Sequence, residues 1–480
     1  MNMHLNPYLA GPYAPIDAER GPVTLNAIEG EIPRDLNGIY VRNGPNPKHE
    51  AEGQYHWFDG DGMLHSVLFE DGTATYRNRW IQTSHMARET EAGRALWRGL
   101  LESAARNPRD SPYKLTANTD VLSWNGKLYC LWYISGTPYA VDLETLETFG
   151  EETFAHEGLR TTAHAKVCSE TGELIFFDYG FRAPFMRCGV VGTDGVVSNL
   201  ASIDLGGPRL PHDLAITRNH TILMDLPVLP DPEALKRGRW RTSFASEVPA
   251  RFGVMPRHGR GSDIRWFEAA PCYVYHVINA WEDGNTIVMT GCRCPDPIQA
   301  PRERDGKLGQ MMANLRVTAS LHRWTFDLDT GECREEQLDD RNAEFPSVDL
   351  RTVGQANRHG FTMALDIDST LRFSGIVKYD LHTASATEWS VGEGRFASEA
   401  PFAPRDGSES DDDGYLVSLV RDANSGGSEL VILDAADLQQ VCRLSVPFDV
   451  PNGFHATWAD SDELAKARTA SSSNLLTHRG

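Results

Sequence analysis

The chain has 480 residues, with 40% hydrophobic and 24% charged side chains, and its 46 basic and 67 acidic residues give a net charge of −21. That acidity repels phosphate backbones and excludes nucleic acid as a partner. No run of about 18 apolar residues marks a transmembrane helix, and the opening MNMHLNPYLAGPYAP has neither the basic nor the apolar region of a signal peptide.

Along the chain, short β-like runs alternate with turn signals. FEDGTATY, SWNGKLYCLWY, SETGELIFFDYG, GTDGVVS and WEDGNTIVMTG each set a D-G, N-G or T-G step beside a strand-like run. RALWRGLLESAARN interrupts the pattern. Leu96, Trp97, Leu100, Leu101, Ala104 and Ala105 fall on one stripe, and Arg94, Arg98, Glu102 and Arg106 on the other, which predicts an amphipathic helix. With Trp97 at headgroup depth, that stripe is a candidate for weak peripheral membrane contact, and packing on the protein is the other reading. DPEALKRGRW predicts a second, shorter helix. The end, ELAKARTASSSNLLTHRG, predicts a helical turn and then a loose tail, set at residues 459–480.

A looser unit (strand ending in Asp, polar turn, strand) recurs as YAVDLETLETF, WTFDLDTGECREEQL, VKYDLHTASATEWSV and LVILDAADLQQVCRLSV. Hairpins repeated over ~300 residues point to an all-β chain, a β-propeller with long loops inserted between strands. The expectation is one domain over residues 1–480. None of the 8 cysteines forms a C-x-x-C pair, and Cys292 and Cys294 in CRC are too close for a zinc knuckle. They read as reduced core thiols of a cytoplasmic protein. No obligate protein partner is evident.

Four of the 16 histidines sit in strand-like contexts. His164 lies in TTAHAKVC, His212 in LPHDLAITRNHTILMDLP, His276 in YVYHVINAWE and His455 in VPNGFHATWAD. By strand alternation Val274, His276 and Ile278 share one face, apolar except for the imidazole. The spacings are too wide for a local motif such as H-E-x-x-H. A radial fold would let different blades each send one ligand to an axis. Taken singly, each histidine reads more readily as a hydrogen-bonded core or rim residue than as a ligand.

The stretches GEIPRDLNGIYVRNGPNP, HWFDGDGMLHSVLF, YRNRWIQTSHMARETEAGR, KLTANTDVL, TAHAKVCSETGELIFFDYG, PHDLAITRNHTILMDLP, EFPSVD and NGFHATW together resemble the carotenoid cleavage oxygenase family, in order, from about residue 25 to residue 458. The resemblance implies a seven-bladed β-propeller capped on one face by loops and short helices. It also implies a ferrous ion held by His164, His212, His276 and His455, with Glu344 and Glu399 accepting the far N–H groups of ligating imidazoles. No amino-acid acid or base is implied beyond the metal ligands.

This sequence departs from the family at one point. Where the family commonly reads E-x-x-x-P-Y, this chain has ISGTPY, so the third glutamate position falls on Ile134. An isoleucine cannot accept an imidazole N–H. A water, a backbone carbonyl or another carboxylate must take its place. The preceding residue, a lysine in stilbene-cleaving relatives, is Tyr133. The implied activity is oxidative cleavage of a carbon–carbon double bond by O2, on a carotenoid or apocarotenoid, with a stilbene or phenylpropanoid as the alternative. Such a substrate needs apolar and aromatic walls, for which the candidates are Phe58, Tyr133, Tyr179, Phe185, Phe345 and Phe402.

Overall fold

The computed structural model describes residues 6–366 and 370–477. Every sheet is antiparallel, and most connect strands that are neighbours in sequence, as expected of hairpins nucleated by short Gly-containing turns. One four-stranded meander runs from Asp120–Trp124 to Thr148–Glu151, the next from Lys166–Val167 to Val197–Ile203, and another from Tyr273–Asp283 to Cys333–Gln337. Between the last two, Ala215–Ile216, His220–Asp225, Ala250–Pro256 and Arg265–Ala269 form a further four-stranded sheet. A longer path follows, in which two meanders meet at the short strand Arg395–Ala397, joined to the first by the Phe373–Ala397 pair.

The two ends of the chain close the arrangement. Ala456–Asp460 pairs with Gly38–Pro45, and Asn26–Gly30 pairs with Gln440–Val446, so the first and last strands are stitched into shared sheets. Apolar residues fill the spaces between sheets: Ile39, Val41, Val121, Leu128 and Val141 form one such cluster. The eight cysteines are free, and seven of them are buried. Among the described residues no helix is long and apolar enough to cross a membrane.

Two expectations fail. The segment expected as a loose tail from residue 459 instead starts as strand and continues as the helix Ser461–Thr477. Asp460 accepts the Glu463 amide as an N-cap, and Leu464 and Ala467, three residues apart, seal the cluster just described. Residues 478–480 lie outside the described residues. The helix expected over Arg94–Asn107 is absent. A helix forms earlier, over Ser84–Ala92, capped by Thr83 and ended by Gly93 at φ 66°. Beyond it, side chains take the amides that a helix would use: Glu89 accepts from Leu96 and Trp97, Asn107 from Arg98, and Asp59 from Leu100. Only Ala104–Arg106 makes a 3-10 turn. Trp97 is 4% exposed and donates its indole N–H to the Ser111 carbonyl, so this ring packs on the protein, while Leu96, Leu100 and Leu101 are partly exposed. The shorter expected helix is present as Pro232–Lys236, capped by Asp231.

Glu89 is the pivot of this irregular segment. It is buried, accepts two backbone amides, and pairs with Lys114 at 2.7 Å. Glu89→Ala should lower unfolding free energy by about 1–3 kcal/mol, because it leaves the Leu96 and Trp97 amides without their acceptor while Lys114 keeps Asp61 at 2.7 Å. Urea denaturation checks this.

Candidate metal centre

His276 owes its position to an irregularity. Tyr273–Asp283 pairs with Thr286–Cys294, but the register shifts between Val274 and Val277 and again before Asn279. The extra residue breaks simple alternation: Val274 and Val277 enter the same core, while Ile278 enters another. A bulge of this kind re-aims a side chain. The other three histidines sit at strand entrances. His164 precedes Lys166–Val167, His212 precedes Ala215–Ile216, and His455 immediately precedes Ala456–Asp460. His164 holds a left-handed backbone at φ 65°, rare for a residue with a Cβ and a mark of functional sites.

These four residues, remote in sequence, converge. Ring centroids lie 4.8 Å apart for His164 and His212, 4.7 Å for His164 and His276, and 4.6 Å for His164 and His455. His276 is 5.1 Å from His212 and 4.6 Å from His455. The ring nitrogens of His164, His212 and His276 are close enough to share one metal ion.

Carboxylates address the outward-facing nitrogens. His276 Nδ1 is 2.5 Å from Glu344 Oε2, and His455 Nδ1 is 3.2 Å from Glu399 Oε1. Asp120, which the sequence did not single out, lies with Oδ2 3.6 Å from His164 Nδ1. Ile134 is 5% exposed, a buried hydrocarbon. Among the described residues no hydrogen bond reaches the His212 ring.

Burial holds His164, His212 and His276 well below the ordinary imidazole range, and the neighbouring imidazoles push the same way, so all three are neutral. Burial also lowers His455, but Glu399 beside it outweighs that effect and the net direction is upward. Burial pushes the Glu344 carboxyl up to about 8. A cation on the imidazoles reverses that preference and favours the carboxylate. Nε2 of His164 and of His276 are buried without a hydrogen-bond partner. Buried polar nitrogens left open in this way, on neutral imidazoles oriented by carboxylates, fit a transition-metal ion.

A cleft of about 1420 Å³, counted out to its open mouth, rises from the histidines. Phe58, Tyr133, Tyr179 and Phe345 line it as expected. Phe185 and Phe402 do not. Phe185 packs against the core beside its own sheet. Phe402 stacks on Phe361 and lines a separate cavity that also contains Lys166 and Glu399. Sequence reasoning missed Trp240, Tyr273, Tyr275 and Phe454, which also line it; Tyr275 and Phe454 are each adjacent to a histidine of the cluster, and that adjacency was the available signal. Phe454 meets Phe58 edge-on at 4.9 Å. Leu100, Leu101 and Met311 come from the irregular segment and from the short helix Gly309–Asn314, so loops and short helices wall the cleft.

Comparison with known proteins agrees with this picture. The family model for retinal pigment epithelial membrane protein matches residues 13–460. The carotenoid 9,10(9',10')-cleavage dioxygenase 1 of Arabidopsis thaliana is 34% identical over 498 residues, covering 95% of this chain and 90% of that protein. The isoeugenol monooxygenase of Pseudomonas nitroreducens is 33% identical over 483 residues, covering 94% of this chain and 98% of that protein. The crystal structure of the Pseudomonas brassicacearum lignostilbene dioxygenase superposes with a TM-score of 0.85 at 29% identity, covering 95% of this chain and 99% of that one. A predominantly antiparallel fold, a histidine cluster able to hold a metal and matches over nearly the full length lead to one conclusion: the chain is an oxygen-incorporating oxidoreductase and belongs to the carotenoid cleavage oxygenase family.

Proposed function

We propose that the chain is a non-haem Fe(II)-dependent dioxygenase that cleaves a carbon–carbon double bond of a carotenoid or apocarotenoid. One alkene and one O2 give two carbonyl products, each carrying one oxygen atom. The observation that carries this reading is the pair of unpartnered, buried Nε2 nitrogens at the floor of an aromatic cleft. His164, His212, His276 and His455 would hold the ion. A ferrous ion supplies the electron density that lets triplet O2 react with a closed-shell alkene.

The chain's own residues bind, orient and exclude. Glu344 and Glu399 hold the His276 and His455 rings by Nδ1, which leaves Nε2 toward the centre. Phe58, Tyr133, Tyr179, Tyr275, Phe345 and Phe454 bury a polyene by area rather than by hydrogen bonds, and keep bulk water from the double bond. No side chain is assigned as acid or base, since a hydrocarbon alkene offers no proton to move. The four four-stranded sheets, the five-stranded sheet that holds the first and last strands, and the long path counted as two support a seven-bladed propeller whose axis passes through the histidine cluster.

A second reading keeps the chemistry and changes the substrate to a hydroxystilbene or phenylpropanoid. Tyr133 and Tyr275 favour it: both line the cleft, and neither hydroxyl has a hydrogen-bond partner among the described residues. Either could meet a phenol oxygen. The likeness to a lignostilbene dioxygenase and to an isoeugenol monooxygenase supports the same reading.

Replacing His212 or His276 with alanine should abolish iron loading and turnover while far-UV dichroism stays that of wild type. Full iron content in either variant would remove that residue from the centre. Parallel assays with apocarotenals and with hydroxystilbenes, read by the aldehydes released, separate the two substrate classes. Aldehydes from the apocarotenals alone are the expected result. Tyr133→Phe adds a second discriminator. Should hydroxystilbenes be cleaved after all, it should raise their KM about tenfold, the equivalent of one neutral hydrogen bond, and leave KM for an apocarotenal without a ring hydroxyl unchanged.

A further inference from the structure

Three of the four imidazoles share one arrangement. Nδ1 of His276 faces Glu344, Nδ1 of His455 faces Glu399, and Nδ1 of His164 faces Asp120 at 3.6 Å. In each case the carboxylate also accepts a backbone amide beside the ring: Phe345 for Glu344, Ala456 for Glu399, and His164 itself, at 2.9 Å, for Asp120. The fourth imidazole, His212, has no carboxylate. The third glutamate position that the family resemblance implies carries Ile134, which offers no acceptor.

We infer that Asp120 is the third anionic positioning residue of this centre: it supplies, through His164, a carboxylate that Ile134 cannot. The inference rests on reading the histidine cluster as a metal centre. A dication held by four neutral imidazoles needs counter-charge close by. Glu344 and Glu399 supply two such charges. The nearby Asp213 is spoken for by Lys166 at 2.9 Å and adds no net charge. Asp120 is well placed for the third. Its side chain is 14% exposed, its Oδ1 accepts the Val121 amide at 2.8 Å, and its own carbonyl accepts from Asn43 at 3.0 Å, so the carboxylate is fixed before any ion arrives.

The same carboxylate holds His164 by its backbone amide, which stabilises the left-handed φ of 65° that turns the ring toward the cluster. Asp120, His164 and His455 are also close enough to form a metal site of their own. The open nitrogen decides between the two: His164 Nε2 is buried without a partner, whereas Nδ1 is the atom near Asp120. Asp120 therefore acts on the outer side of the ring.

Asp120→Asn keeps an oxygen to accept the His164 amide and removes the charge; Asp120→Glu keeps the charge. Affinity for Fe(II) and for Co(II), measured by competition with a chelator, should fall about 10–100-fold in Asp120→Asn and much less in Asp120→Glu. The Co(II) absorption bands should move in Asp120→Asn, and its metal-free melting temperature should match wild type while the rise on metal binding shrinks. Unchanged affinity and an unchanged Co(II) spectrum in Asp120→Asn overturn the inference. So does an equal loss in both variants, or a failure of both to fold, because Asp120 would then serve the fold and not the ion. Wild type that loads no metal overturns this inference together with the function proposed above. Wild type that loads and turns over beside an indifferent Asp120→Asn removes Asp120 alone.

Discussion

Four imidazoles packed against one another inside a protein present a problem that the rest of the structure has to solve. Each ring has two nitrogens, and a buried nitrogen without a partner is costly. Here the outer nitrogens of His276 and His455 are met by Glu344 and Glu399, and the inner nitrogens of His164 and His276 are left open toward a common point. The open atoms are tolerable only if something binds them. The cluster could hold a metal ion, and beside three of its rings stand carboxylates that are themselves pinned to backbone amides.

The fold supplies that arrangement through strand entrances. His164, His212 and His455 each stand just ahead of a strand, and His276 stands on a bulge, so all four rings sit where a sheet's regular alternation does not apply. A residue within a regular strand faces one of two neighbouring sheets. A residue at an entrance or a bulge can face an axis instead. The positive φ of His164, and of Phe345 beside Glu344, belongs to the same logic: local backbone strain is held where the surrounding sheets over-determine it.

The cleft divides labour with the centre. Its walls are aromatic and come from elements of different kinds: Phe454 from the approach to a strand, Tyr275 from within one, Leu100 and Leu101 from a segment with no regular structure. That segment is held by side-chain acceptors on Glu89, Asp59 and Asn107. One wall of the cleft therefore depends on a loop whose own backbone polar groups are satisfied by two carboxylates and an amide.

Much of this was legible in the sequence, and the divisions have physical causes. Turn chemistry and strand-like runs determined the antiparallel sheets, because D-G, N-G and T-G steps nucleate hairpins locally. The ordered motifs determined the family, the four histidines, and Glu344 and Glu399 as their companions. Tertiary structure alone decided what depends on contacts between distant residues. Leu96, Trp97, Leu100 and Leu101 have helical spacing, but acceptors up to some forty positions away in the chain capture the amides of the first three, and propensity loses to those bonds. Phe402 has the composition of a cleft residue but faces another cavity, because side-chain direction follows sheet register and not residue type. Leu464 and Ala467 draw the C-terminal segment into a helix because they complete a core begun more than four hundred residues earlier. Asp120 looked like one acidic residue among 67 until the sheets brought it beside His164, since a carboxylate's role is set by what it faces, and only the folded chain determines that.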